Sequence, residues 1–265
     1  MNIYEMLIRR SRPAPEPPEP SDSSSSGGMS DSSSSGWQSD SGSSSGGVTP
    51  VVPTDYSRRY ELISNLKDSK HSSTTDFDLV RPSYANISYG TADGITGCLV
   101  KYSCLYNLWS GGITTDSGCA LSLWAKCSSV PSSSSTPKCL VNMSQYWTSN
   151  AFWLGYRNGR WAGGTTKNSV IESSVEVDAS WHCLVLNFDK TGETIELWLD
   201  GELAGEITGV SSVSISSKGM TVNAGDASQG ENPDGLPDVN VRYRDVTWFA
   251  RTLSEAEILG LSQEH

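Results

Sequence analysis

Basic residues are scarce in this chain: 19 Lys and Arg stand against 30 Asp and Glu, a formal net charge of −11. Nucleic acid and anionic membrane surfaces are themselves negative, so neither is expected as a partner. Only three His are present, and the six Cys contain no C-x-x-C pair, which argues against a structural zinc site. No apolar run approaches the length of a transmembrane helix, so membrane insertion is not expected. A secretion signal is not expected either. The apolar cluster Ile3, Tyr4, Met6, Leu7 and Ile8 is short, contains Glu5, and precedes Arg9-Arg10 instead of following a basic region. The six Cys are accordingly expected as buried, reduced, small hydrophobes.

Apolar clusters are also nearly missing from the first fifty residues. Residues 1–12 read as a short anchor peptide that could order against a virion or scaffold protein, because so few residues cannot hold a helix alone in water. Residues 13–50 read as a linker. Pro13 to Pro20 (PAPEPPEP) favours extended polyproline II. Ser21 to Gly47 repeats SDSSSSGG, SDSSSSGW and SDSGSSSGG, a composition that cannot bury enough apolar area to offset chain entropy. A disordered tether with a root-mean-square reach of roughly 30 Å is expected. Residues 51–265 remain for one globular domain, of a size that suits a single β-sandwich. Nine Trp, ten Tyr and abundant Ser, Thr and Gly favour strands and turns there.

The most regular stretch is Trp181 to Gly201. Cys183 to Phe188 is apolar on both alternating faces, as a covered central strand requires. Asp189-Lys190-Thr191-Gly192 supplies a turn, with Gly192 expected at positive φ. Ile195, Leu197 and Leu199 then share one face, and Thr194, Glu196 and Trp198 the other. Asp200-Gly201 signals a tight hairpin. Trp181, His182, Asp189, Leu197, Trp198, Asp200 and Gly201 together resemble the W-H…D…L-Y-V-D-G pattern of the laminin-G-like branch of the concanavalin A-like lectin/glucanase superfamily. Further segments resemble that family: Tyr60 to Ser69, Gly94 to Leu99, Cys119 to Lys126 (with Cys119 where Phe is usual), Met220 to Gly225, and Asp245 to Ser254. Ser254 and Glu257 form a capping box for a closing helix through Leu261. The matches span about residues 58 to 263. The implied fold class is all-β: two antiparallel sheets packed as a jelly-roll sandwich, with a short C-terminal helix.

Glycosidases of this superfamily need two carboxylates facing each other across a sugar. Glu193, Glu196 and Asp200 have the wrong spacing for the family's acid-bearing strand, and no Ser-His-Asp or Cys-His arrangement is readable. A non-enzymatic domain is therefore expected. Sugar binding needs less: rings that stack on pyranose faces, beside groups that bond hydroxyls. Trp147, Tyr156, Arg157, Asn158 and Trp161 form such a segment around an Asn158-Gly159 turn and are the expected ligand-binding residues. Phe152 and Trp153 are expected as packing residues. Relatives also bind calcium at the sandwich rim, which implies Asp226, Asp234 and Asp238 as metal ligands here, although Arg244 stands where relatives often have an acid.

The expectation is a lectin-like recognition and adhesion module that binds a glycan or cell-surface polysaccharide. Its display on a tether points to the virion surface, on a phage appendage binding host glycans. The alternatives are a bacterial cell-surface or extracellular adhesin, a glycoside hydrolase of the same fold, and a structural decoration module that binds protein.

Overall fold

The computed structural model of the protein describes residues 48–71, 77–83, 85–107, 115–143, 151–166, 168–213, 215, 219–225 and 235–265. All belong to the compact unit Gly46–His265. The expected anchor, and the linker up to residue 47, lie outside the described residues.

In chain order the strands are β1 (Arg58–Tyr60), β2 (Asn86–Ala92), β3 (Ile95–Lys101), β4 (Leu105–Asn107), β5 (Cys119–Cys127), β6 (Lys138–Asn142) and β7 (Trp153–Arg157). They continue with β8 (Arg160–Gly164), β9 (Val170–Glu176), β10 (Trp181–Asp189), β11 (Thr194–Leu199), β12 (Glu202–Thr208), β13 (Met220–Val222) and β14 (Val241–Phe249), and one helix follows, α1 (Glu255–Ser262). An eight-stranded sheet has the order β12-β11-β10-β5-β14-β3-β2, with β1 also paired to β14. A six-stranded sheet has the order β4-β13-β6-β7-β8-β9. All pairings between these strands are antiparallel. The all-β sandwich expected from the sequence is present.

Period-2 alternation explains how the layers divide. On β5, Cys119, Leu121, Leu123 and Ala125 face the core between the sheets, as do Leu184, Leu186 and Phe188 of β10 and Ile195, Leu197 and Leu199 of β11. Cys119 stands where a bulkier Phe is usual, and Phe188 lies directly across from it in the pairing of β10 with β5. The intervening residues Ala120, Trp124, Cys183 and Val185 face outward and are covered by Leu253, Ile258 and Leu261 at the C-terminal helix. Ser254 and Glu257 form the expected capping box at its N-terminus.

The Asn158-Gly159 and Asp200-Gly201 turns have φ of 53° and 74°, and of 53° and 86°, as a type I′ hairpin turn requires. Two details depart from the sequence reading. The opening strand is Arg58–Tyr60, earlier than the Tyr60 segment predicts, and the chain turns away at Leu62 with φ of 56°. In the β10–β11 turn it is Glu193 that has positive φ, 52°. Gly192 serves proximity instead: a Cβ there would lie 2.6 Å from the Asp189 carboxylate.

Candidate functional site

Each sheet ends in a free strand, β9 on one and β12 on the other. The two edges touch where β12 has no side chain. A Cβ on Gly205 would lie 2.7 Å from Cγ2 of Ile171 on β9, so glycine permits the approach. Just before Gly205 the pairing of β11 with β12 slips: Leu197 opposes Gly205 while Trp198 opposes Leu203, which leaves Ala204 as the extra residue of a β-bulge. The strands enclose a cleft of about 330 Å³, lined by Ser174 and Val175 from β9 and by Leu199, Asp200, Glu202, Leu203 and Ala204 from the β11–β12 hairpin. Val175 and Leu203 are 43% and 49% exposed, so the mouth is aliphatic. The Ser174 hydroxyl and the Glu202 carboxylate have no partner among the described residues. The volume falls at the small end of ligand pockets.

Behind the cleft stands His182, at the start of β10. Its Nδ1 lies 2.7 Å from Asp200 Oδ2 and its Nε2 lies 2.9 Å from Asp178 Oδ1. Burial works against its protonation, but hydrogen bonding to Asp200 and Asp178, with their charges, outweighs that and raises its pKa above the ordinary histidine value. Asp200 Oδ1 also accepts from the Cys183 amide at 2.8 Å. Asp178 feels burial first, yet the Ser180 amide and His182 hold its carboxyl below the usual range. One imidazole thus bridges the β9–β10 loop to the hairpin turn that forms one end of the cleft.

The sequence-predicted residues divide. Arg157 and Asn158 are near this edge and at the surface. Arg157 Nε donates to Ser135 O at 2.9 Å and lies 3.3 Å from Glu172 Oε1, and Asn158 Nδ2 lies 3.2 Å from each Glu172 oxygen. Glu172 is two residues before Ser174 on β9, so these two residues adjoin the cleft strand but do not line the cleft. Tyr156 and Trp161, expected as surface platforms, are 1% and 0% exposed and belong to the core. Alternation is the reason: both pair across the β7–β8 hairpin on the inward face, and Trp161 packs 5.2 Å from the His182 ring. Phe152 and Trp153 are buried as expected. Trp147 lies outside the described residues.

Of the expected calcium ligands, Asp226 and Asp234 lie outside the described residues. Asp238 is engaged in the fold. Its Oδ1 accepts from the Tyr156 hydroxyl at 2.6 Å, and its Oδ2 accepts from the Ser132 amide at 3.0 Å and from the Ser132 hydroxyl. Burial alone would raise its pKa, but these bonds hold the carboxyl below the usual range. Arg244, noted for its charge, is paired with Asp245 at 2.9 Å. Among the described residues no group of three or more His, Cys, Asp or Glu is placed to hold a metal ion. Asp238 therefore does not fit an open calcium ligand, and no metal enters the reading below.

Sequence reasoning missed the cleft. The bulge at Ala204 and the contact of Gly205 with Ile171 depend on pairing between strands far apart in sequence. The one available signal was a Gly within the β12 pattern, which marks a bulge or a close approach.

The sequence model of the concanavalin A-like lectin/glucanases superfamily matches residues 106–259. The match covers more than half of the chain, which therefore belongs to that superfamily. No curated protein sequence matches it. Among solved structures, domain 4 of an extracellular arabinanase from Geobacillus stearothermophilus, solved with arabinotriose, is similar at a TM-score of 0.57 and 11% identity, over 79% of this chain and 98% of that one. The ligand-binding domain of botulinum neurotoxin serotype D, solved with N-acetylneuraminic acid, is similar at 0.55 and 15% identity, over 79% of this chain and 50% of that one. The binding domain of Paraclostridial Mosquitocidal Protein 1 is similar at 0.55 and 14% identity, over 74% and 48%. The chain spans about half the length of these toxin domains. At such identities the likeness is one of fold.

Proposed function

We propose that the domain is a non-enzymatic carbohydrate-binding module that mediates adhesion. The observation that supports this best is the β9–β12 cleft. It combines aliphatic walls, on which the C–H face of a sugar ring can rest, with a free hydroxyl and carboxylate acceptors for its hydroxyls. The superfamily and two sugar-bound structural neighbours are in keeping with it. A glycan array probed with the full chain, in calcium and in chelator, tests the reading. Binding to a defined set of oligosaccharides is expected in both, and an array without a hit removes the proposal.

Hydrolysis is the second reading, because Asp200 and Glu202 share the cleft. Against it, Asp200 already accepts from Cys183 and is bonded to His182, and Glu196 Oε2 accepts from Asn187 at 3.1 Å and Trp198 at 3.0 Å. Incubation with the bound polysaccharide should release no reducing ends, and their appearance overturns the non-enzymatic reading. We further propose display on a virion surface, on the strength of the composition of residues 13–47. The chain should be found in purified particles and be lost when residues 1–10 are deleted. Retention of the truncated chain rejects the anchor.

A further inference from the structure

We propose that the β9–β12 cleft is charge-selective: it takes a neutral or amino sugar and turns acidic sugars away. This rests on the carbohydrate reading above and adds the ligand class. Two of its seven lining residues are carboxylates, Asp200 and Glu202, and neither lysine nor arginine is among them. The strands that form it add Glu172 and Glu176 on β9 and Glu206 on β12, and Asp178 follows at the end of β9. Arg160 lies close by, but its guanidinium donates to the Ser174 carbonyl at the β9 backbone. Arg157 is engaged by Ser135 and Glu172. Among the described residues His182 is the one titratable cation that touches a lining carboxylate, and it is shared between Asp178 and Asp200. The chain as a whole has a formal charge of −11, so the long-range field acts in the same direction.

The chemistry of each ligand class follows. A hydroxyl or ammonium group donates to Glu202 and Asp200, while the ring's C–H face covers Val175 and Leu203. A sugar carboxylate brings a third negative charge into the same small volume, where the nearby cations are already engaged, Arg160 with the Ser174 carbonyl and His182 with Asp178 and Asp200. Like charges at contact distance in a partly desolvated site repel strongly. The aliphatic walls make the cleft less dependent on aromatic stacking than the ring-rich segment around Trp161 implied.

The test is calorimetric titration of the full chain with three oligosaccharides of equal length: neutral, amino-bearing and uronic-acid-bearing. The neutral and amino sugars should bind at least ~10-fold more tightly than the uronic one, equivalent to about 1.4 kcal/mol. Raising salt should narrow the gap. Glu202→Lys, at an exposed edge position, should bring the three affinities within ~3-fold or reverse their order, and Glu202→Gln should fall between. Equal affinities in the parent, or an unchanged order in Glu202→Lys, reject charge selectivity at this cleft while leaving sugar binding intact. A chain that binds no sugar of any charge but binds an oligolysine peptide along β12 rejects both readings together.

Discussion

Tyr156 and Trp161 illustrate how a ring's worth is set by the side of the strand on which it falls. Trp161 fills the core, and Trp161→Ala should cost about 3–5 kcal/mol in denaturant unfolding, the usual loss for emptying such a site. Tyr156→Phe removes only a hydroxyl that donates to Asp238. It should cost about 1 kcal/mol by the same measurement, since Asp238 is exposed enough to take water instead. His182 has a different signature. Its pKa in the folded chain lies above the unfolded value, so its stabilisation is full below the unfolded value of about 6.5 and is lost as pH rises through the folded one. The pKa of Asp178 is lowered, so its share is present above about 3.9 and lost as pH falls. The unfolding free energies of the parent and His182→Gln should therefore differ most between about pH 4 and 6.5 and converge in alkali. A gap that widens above pH 8 contradicts the bracketing of His182 by two carboxylates. In the sequence His182 was legible only as a motif residue. Asp178 is close to it along the chain, but Asp200 reaches it only through the return of a hairpin.

At the scale of elements, the sequence is most informative where neighbours in space are neighbours in the chain. The β10–β11 hairpin, the Asp200-Gly201 and Asn158-Gly159 turns and the capping box are all local, and each is where the residues imply. Ser254→Ala removes the hydroxyl side of that box and should lower stability by about 1 kcal/mol, read as a shift in Tm. The cleft obeys no local rule, because β9 and β12 belong to different sheets and meet only when the sandwich closes. Gly205→Val tests that meeting. A branched side chain beside Ile171 should force β12 away from β9 and cost about 1–3 kcal/mol, with weakened sugar binding in titrations of whatever fraction remains folded.

At the scale of the whole molecule, all six Cys are buried. Burial pushes the thiols of Cys98 and Cys127 up to about 12, with smaller influences from nearby charges. A thiol reagent at neutral pH should therefore label the native protein slowly and reach six equivalents only in denaturant. Rapid labelling of the native chain would mean that the core is more open than the sandwich described here. The burial of Cys119 and Cys183 was legible from their places in apolar strand runs. The division into two sheets followed from alternation together with the family pattern, whereas their closing edge did not.

The contact of β9 with β12 has one more consequence. A free strand edge is a template on which another chain can add its own backbone, and crowding makes that addition more frequent. Here the exposed edges of β9 and β12 press on each other through Gly205 and Ile171, and they bear Glu172, Glu176, Glu202 and Glu206. Two copies approaching by this pair of edges would meet at like-charged borders that offer little to build on. On this side the domain is guarded against pairing with a strand of a second copy.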